Sequence, residues 1–445
     1  MSPASVPGSL ARACRVVRPG GPRDAVAGLT PPWVASPADT AEASALLAAA
    51  TEHGLAVVPR GSGTSVSWGV PPRHLDLVID TLRLDQVLEH AAGDLVVRAQ
   101  AGVTMRQLAG ALATARQQLA LDVPPGSGNG GQAGSPTVGG VLATGSAGPR
   151  RLRYGTPRDL LIGITVIRPD GTVTKSGGKV VKNVAGYDLG KLYTGSRGTL
   201  GLITEAIFRL HPLPAATAFV TAGYADPAAA ARGVAAAAGS ELAPVAIELD
   251  RPARHGLVRV AVLLEGDPAG VSQRASLMRG VLGAGTATLD AAPSWWGASP
   301  GARGPGSAGR AAGTVIQIGF WAAALPGVLD AVDAAGRAAG LDPAVAGSAA
   351  AGVLHAAVPG SAAPEDVAGF LAGLRERLAR DLEPGLAGGE GPPARASAVV
   401  VRAPAAVQDL VDMWGPVPAL GLMRALKDQF DPGHLMAPGR FAGGI

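Results

Sequence analysis

Pro59-Arg60-Gly61-Ser62-Gly63-Thr64 is the stretch of this chain with the most evident chemistry. Gly61 and Gly63 can take positive φ and lack a Cβ, so successive backbone N–H groups can converge on one small anion. Ser62 and Thr64 add hydroxyl donors, and Arg60 carries a charge able to offset part of a pyrophosphate. The set suits phosphate binding. A lone G-x-G suits a plain surface turn equally well, so the loop by itself decides little. Two further stretches add weight: Pro136-Thr137-Val138-Gly139-Gly140 and Gly198-Thr199-Leu200-Gly201-Leu202-Ile203-Thr204. Adjacent glycines inside an apolar segment weaken it, which points to a flat or charged ligand close to the backbone at Gly139-Gly140.

Groups able to hold a carboxylate or move a proton lie elsewhere. Arg150, Arg151 and Arg153 form a basic cluster, and an arginine fork can pair a carboxylate through two hydrogen bonds; a solvated face is the alternative role. Lys182 and Tyr187 are weak catalytic candidates beside Arg153, against an ion pair of Lys182 with Asp188 and a half-buried core position for Tyr187. His255, His355 and His434 can each act as a base, although an isolated histidine is more often structural.

The elements that position these groups follow from the apolar pattern. Leu55 to Val58 reads as a buried strand running straight into the glycine loop, preceded by a helix that Ser36 caps and Pro37 opens. Strands are expected at Leu75–Ile79 and Asp94–Ala101, a helix from Gly102 to about Leu119, and a hairpin of Leu160–Arg168 with Thr172–Lys175 around Pro169-Asp170-Gly171. Gly201 to Leu210 returns as a strand before His211-Pro212-Leu213-Pro214 marks a domain boundary. Strands and helices then interchange from Ala216 to Arg402 without phosphate-loop glycines, as in an α+β cap with an antiparallel sheet. The expected division is a disordered leader over 1–24, a first domain over 25–213, a cap over 214–425 with flexible loops at 291–313 and 384–394, and a tail over 426–445 packed on the first domain.

Composition narrows the function classes. A chain of 445 residues suits two cores, and its one cysteine, Cys14, excludes an internal disulfide or a thiolate-ligated iron–sulfur cluster built from these residues alone. Lys+Arg 38 against Asp+Glu 34, scattered and without interleaved aromatics, shows no nucleic-acid footprint. The charge-free stretches Gly313–Leu329 and Pro343–Pro364 carry Pro, Gln or mostly small residues, so no transmembrane segment is expected. Arg12, Arg15 and Arg18 precede no continuous apolar run, which argues against a secretory signal and for a cytoplasmic location, peripheral to a membrane only through a partner.

PRGSGT with Trp68-Gly69 after it, TVGGVLAT, Arg153-Tyr154-Gly155, GGKVVKNVAGYDLGKLYTGS and GTLGLIT occur together in this order. In these motifs the first half resembles the FAD-binding domain of the vanillyl-alcohol-oxidase-type, or PCMH-type, flavoproteins. Within them it is most similar to the FAD-binding subunits of glycolate oxidase. The similarity spans about residues 55 to 213 and returns at DPGHLMAPGR. It implies an FAD domain of two α+β subdomains rather than a Rossmann fold, and no G-x-G-x-x-G opening a helix speaks against that.

The resemblance also implies site residues. Pro59, Arg60, Gly61, Ser62, Gly63 and Thr64 would hold the FAD pyrophosphate; Thr137, Gly139, Gly140, Thr144 and Ser146 would line the flavin and ribityl side with Tyr154 nearby; and Gly201, Leu202 and Ile203 would contact the isoalloxazine or adenine end. Pro59 to Val70 contains no His or Cys for a covalent link, so the FAD is expected to be noncovalent. The implied role is that of an FAD-bearing subunit of a glycolate (2-hydroxy acid) oxidase or dehydrogenase complex, between a catalytic flavin subunit and an iron–sulfur partner. One departure matters. The H-G-x-x-G-D-G-N-x-H motif, whose histidines bind a divalent metal in the related catalytic subunits, is absent, so no metal is expected and this chain is not expected to form the principal hydroxy-acid site alone. The alternatives are a self-sufficient FAD oxidoreductase, with Trp295-Trp296 on a lid, and a subunit that retains FAD for structure.

Overall fold

The computed structural model describes residues 6–122, 134–179, 187–252, 254–300, 313–381 and 396–445. The chain is α+β and divides into two compact units: the residues up to Ala147 with Gly155–Leu213 and Ala419–Ile445, and Gly148–Tyr154 with Pro214–Pro418.

The first unit opens with α1 (Val6–Ala13), where sequence reading expects a disordered leader. Leu10 of α1 and Cys14, just past its end, are buried in one core with Leu46 and Leu47 of α2 (Thr40–Glu52). Small residues around Leu10 hide the helix from the apolar pattern. The cap of α2 also differs: Asp39, not Ser36, accepts the Glu42 amide at 2.8 Å, and a carboxylate there also answers the helix dipole. Strands β1 (Val17–Pro19), β2 (Trp33–Ala35), β3 (Val57–Arg60) and β4 (Leu77–Asp80) form a sheet in the order β1-β2-β4-β3, with β2, β4 and β3 parallel. β3 is the strand that delivers the chain into the glycine loop.

A second sheet of the same unit is antiparallel, in the order β5-β6-β10-β8-β9, from β5 (Val87–Ala91), β6 (Val96–Gln100), β8 (Leu161–Ile167), β9 (Val173–Gly177) and β10 (Leu202–Arg209); β7 (Gln117–Gln118) pairs with β11 (His211–Pro212) apart from it. Gly171, at φ +85°, makes the turn between β8 and β9. α3 (Met105–Ala113) and α4 (Val138–Thr144) pack on this sheet through Leu108, Leu112, Val138, Val141 and Leu142. The C-terminal segment is tied to β3: Val57 donates to the Leu435 carbonyl at 2.8 Å and accepts from the Ala437 amide at 2.7 Å. Behind it Lys427, fully buried, donates to Asp431, the Thr199 carbonyl and the Met436 carbonyl at 2.6, 2.8 and 2.9 Å. Three acceptors for three protons make this buried charge tolerable.

The second unit is built on eight antiparallel strands in the order β15-β12-β14-β13-β17-β18-β16-β19. They are β12 (Ala216–Tyr224), β13 (Ala246–Arg251), β14 (Val258–Gly266), β15 (Ala287–Leu289), β16 (Thr314–Phe320), β17 (Ala344–Gly347), β18 (Val353–Val358) and β19 (Ala396–Arg402). Alternation sorts β13 cleanly. Arg251 points to the helix Leu325–Ala338, 2.7 Å from Asp333, while Glu248 and Asp250 point to the opposite face, where Arg151–Tyr154 packs.

Candidate functional site

In the first unit, the three glycine stretches meet. One cleft is lined by Val58 to Val66, Trp68, Thr137, Gly140, Ala143, Thr144, Arg197 and Arg440; a neighbouring one shares Pro59, Arg60, Gly61 and Gly140 and adds Gly139, Gly198, Gly201, Leu202 and Ile203.

Each glycine has a different reason to be there. A Cβ on Gly61 would lie 2.2 Å from the Thr137 hydroxyl oxygen, so Gly61 is required by close approach and not by a positive φ. Gly63 sits at φ +77° with open space about it, so its constraint is conformational. Gly139 departs from the sequence reading: its Cβ would meet Ala101 Cβ at 2.8 Å, and its amide donates to the Ala101 carbonyl at 2.8 Å. Its neighbour is therefore protein, because α4 sits directly on the end of β6. The Gly140 amide is likewise taken, by the capping hydroxyl of Thr137 at 3.2 Å.

What remains open is the loop. Among the described residues the amides of Ser62 to Ser65 donate to no acceptor, and the buried Ser62 hydroxyl has no partner. Arg60 does not supply the positive charge expected of it. Its guanidinium pairs with Asp80 at 2.8 Å and Asp24 at 3.1 Å, and the Asp24 carboxyl is held far below the usual range, chiefly by Arg18. Arg60 anchors the loop from behind.

The cations at the cleft are two residues that motif reading passed over, Arg197 and Arg440. Burial pushes both guanidinium pKa values down to about 10, and for Arg440 the charge of Arg197 adds to the effect. Arg440 also donates to the carbonyls of Val66 and Trp68 at 2.8 Å, and Arg197 occupies the left-handed region at φ +55°. Buried guanidinium groups whose charged forms are disfavoured in this way are stabilised by an anion beside them. Open amides, an unpaired hydroxyl and paired arginines fit a pyrophosphate. The only earlier signal was that both arginines adjoin quoted motifs, Arg197 between TGS and GTLGLIT and Arg440 at the end of DPGHLMAPGR.

The other expected site residues fall in several places. Thr144 donates to the Gly140 carbonyl at 2.8 Å and lies 2.7 Å from the Ser146 hydroxyl. Tyr154 and Arg153 belong to the second unit. The Tyr154 hydroxyl donates to Glu265 at 2.8 Å, and burial, followed by Glu265, pushes its pKa up to about 12. Arg153 is exposed and Tyr187 is 91% exposed; Lys182 lies outside the described residues. Asp188 pairs with Lys191 at 3.1 Å. His255 is exposed, and His434 sits at the surface 2.9 Å from Asp428.

His355 differs. It stands in a row of paired positions across the cap sheet, Arg259–Asp250–Ala346–His355–Gln317, on the face away from the helices. Desolvation, with the charge of Arg151 second, pushes its pKa down to about 4. Arg151 also acts on Glu248, whose carboxylate accepts from Ser348 at 2.6 Å, and Arg150 stands 4.0 Å from Glu265.

Residues 31–177 match the family described as "FAD binding domain". The chain is 36% identical over 223 residues to the glycolate oxidase subunit GlcD of Bacillus subtilis (strain 168), covering 50% of this chain and 46% of that protein. It is 38% identical over 179 residues to the D-lactate dehydrogenase of Archaeoglobus fulgidus, covering 40% and 38%. The chain thus spans less than half the length of these relatives. Over nearly its whole length it shares its fold with p-cresol methylhydroxylase, with a TM-score of 0.71 at 15% identity and coverage of 98% and 96%.

Proposed function

We propose that this chain, whose residues 31–177 match an FAD binding domain and whose fold is that of p-cresol methylhydroxylase, is an FAD-dependent oxidoreductase that serves the oxidation of a small 2-hydroxy acid, within a complex that includes a catalytic flavin subunit and an iron–sulfur protein. The observation that carries this reading is the cleft between the PRGSGT loop, Arg197 and Arg440, which presents open amide and hydroxyl donors and two buried guanidinium groups to a dianionic group. The relatives named as glycolate oxidase and D-lactate dehydrogenase support the substrate class.

FAD, when bound, supplies a two-electron acceptor. The chain's residues hold it: the amides of Ser62 to Ser65 and the Ser62 hydroxyl donate to the pyrophosphate, Arg197 and Arg440 neutralise it, and Gly201, Leu202 and Ile203 line the continuation of the cleft. The attachment is noncovalent. The cleft lining contains neither His nor Cys, and Cys14 is buried in a separate core, its thiol pushed up by burial and so poor in thiolate. One cysteine cannot ligate a cluster, so an iron–sulfur cluster in the electron path would belong to a partner. No described helix is long and apolar enough to cross a membrane.

The purified protein is expected to show a flavin spectrum, to release its flavin into the supernatant on acid precipitation, and, with its companion proteins present, to bleach anaerobically with glycolate or D-lactate. A colourless protein that FAD cannot reconstitute overturns the cofactor assignment. Retention of oxidised flavin in the presence of hydroxy acids and of the companion proteins overturns the activity.

A further inference from the structure

Another cavity of the first unit, of about 410 Å³, backs onto the cofactor cleft. Volumes of a few hundred Å³ are those of small-ligand pockets. One wall is the helix Leu420–Phe430, from which Leu422, Met423 and Leu426 line the space at helical spacing. None of the three is buried, and the one buried side chain of that helix is Lys427. A surface helix normally turns its apolar stripe onto a core. Here the stripe faces a space, whose apolar lining Leu192, Leu200 and Phe441 continue.

Two segments are shared between this cavity and the cleft, and each carries one of the cleft's arginines. Ser196 lines the cavity and Arg197 the cleft; Phe441 lines the cavity and Arg440 the cleft. In the same way Gly198 lines the continuation of the cleft and Thr199 the cavity. Lys427 ties the two segments together. It donates to the Thr199 carbonyl at 2.8 Å on one side, and on the other to Asp431 and the Met436 carbonyl, in the tail that leads to Arg440. Whatever fixes the walls of the cavity therefore also fixes both guanidinium groups.

The polar groups of the cavity define what it takes. At its rim Lys191 lies 3.1 Å from Asp188. Arg158 and Lys191 both act on Asp159, whose carboxyl is held low first by the Thr156 amide and further by these two charges. Two cations thus stand against two carboxylates, which favours a neutral ligand over an ion. The hydroxyls of Thr194 and Thr199 give their protons to the carbonyls of Gly190 and Ser196 at 2.9 and 2.7 Å, so their oxygens can only accept further bonds. A hydroxyl on the ligand supplies the matching donor. Among the described residues lining the cavity, Leu422 is the one exposed large apolar side chain. A protein partner needs a broad patch of about 800 Å² per side, whereas recessed side chains suit a small molecule. We infer that this cavity binds a neutral apolar small molecule bearing a hydroxyl, and that its occupancy tightens FAD binding by bracing the segments that carry Arg197 and Arg440. A ligand that orders walls shared with a second site leaves less ordering for the second ligand to bear, and the coupling is reciprocal. The coupling rests on the cofactor reading; the cavity itself does not.

The test uses the full chain with methyl-labelled methionine, and n-octanol as the probe. In NMR titrations octanol is expected to move the Met423 methyl resonance and to leave Met413, buried in the second unit, unmoved. Octanoate is expected to bind about tenfold more weakly, because its charge must leave water without a partner. Fluorescence titration with FAD is expected to give a dissociation constant about fivefold lower, or more, at saturating octanol. Leu426→Trp, which fills the cavity, is expected to abolish the Met423 response. Leu422→Asp alters a side chain that is already 65% exposed and so tests the same site with little risk to folding. It is expected to raise by about tenfold the octanol concentration at which FAD binding is half-tightened. An unmoved Met423, an equal movement of Met413, octanoate binding as tight as octanol, or an FAD affinity indifferent to octanol overturns the inference. A protein in which octanol moves Met423 but which binds no FAD keeps the cavity and removes the cofactor reading instead.

Discussion

The cofactor cleft and the polar face of the cap sheet recruit their groups in opposite ways. The cleft is built from consecutive residues: a strand ends, a loop follows, and its amides stay open because glycine allows the turn and the close approach of Thr137. The cap face is built from alternate residues on strands that pair only after long excursions of the chain, with Arg151 arriving from a segment far from β13 in sequence. Backbone chemistry needs few residue types in a fixed order, whereas side-chain chemistry needs only that register align isolated residues.

The largest expected effect strikes the backbone side of that comparison. Gly61→Val places a branched side chain where even a Cβ would lie 2.2 Å from the Thr137 hydroxyl, an atom that itself caps α4. The loop and the helix end must separate, and the expected result is protein with almost no bound flavin by its visible spectrum. Gly63→Ala meets no atom closer than 4.0 Å and suffers only from φ +77°, so it is expected to keep a measurable fraction. Equal flavin contents in the two variants would show that close packing is not what shapes the loop.

This contrast also explains what could be read from the sequence. The α+β class, the strand into the glycine loop and the hairpin about Gly171 follow from period and turn chemistry, which act within a few residues. α1 escapes the apolar pattern because Leu10 is its one buried residue, and the cap of α2 is ambiguous because Ser36, Asp39 and Thr40 all suit a helix start. Gly139 read as a ligand contact because sequence cannot tell a neighbour made of protein, here Ala101, from one made of cofactor. Arg60 attracted the role of phosphate partner by adjacency, yet Asp24 and Asp80, far away in the chain, take its charge. Arg197, Arg440 and the His355 row depend wholly on tertiary placement.

A smaller effect separates charge from backbone within the cleft. Arg197→Met removes one of the two buried guanidinium groups lining the cleft, so FAD is expected to lose a charge-assisted hydrogen bond. At about 1.5–3 kcal/mol for such a bond, the dissociation constant is expected to rise about ten- to a hundredfold, read by fluorescence titration. The depressed pKa values give the sign of the pH dependence: the folded, cofactor-free state binds fewer protons than the unfolded chain between about 10 and the ordinary arginine range, so the cost of the pair falls as pH rises through that window. A marked drop in the stability of the FAD-free variant at neutral pH would mean that Arg197 is a structural residue and that the cleft owes its fit to the loop alone.

The smallest expected change tests the boundary between the two kinds of site. Motif similarity groups Tyr154 with the cofactor residues, yet its hydroxyl donates to Glu265 within the second unit. Tyr154→Phe takes one donor from a largely buried carboxylate and leaves Arg150, at 4.0 Å, as the remaining positive neighbour. The expected cost is about 1.5 kcal/mol, the low end for a hydrogen bond to a charged group, because Arg150 can close part of the gap. A urea midpoint resolves that, and the affinity for FAD is expected to stay within about twofold of wild type. If the stability holds and the affinity falls instead, the hydroxyl serves the cofactor, and the division between a cleft made of backbone and a cap face made of side chains has been drawn one residue too early.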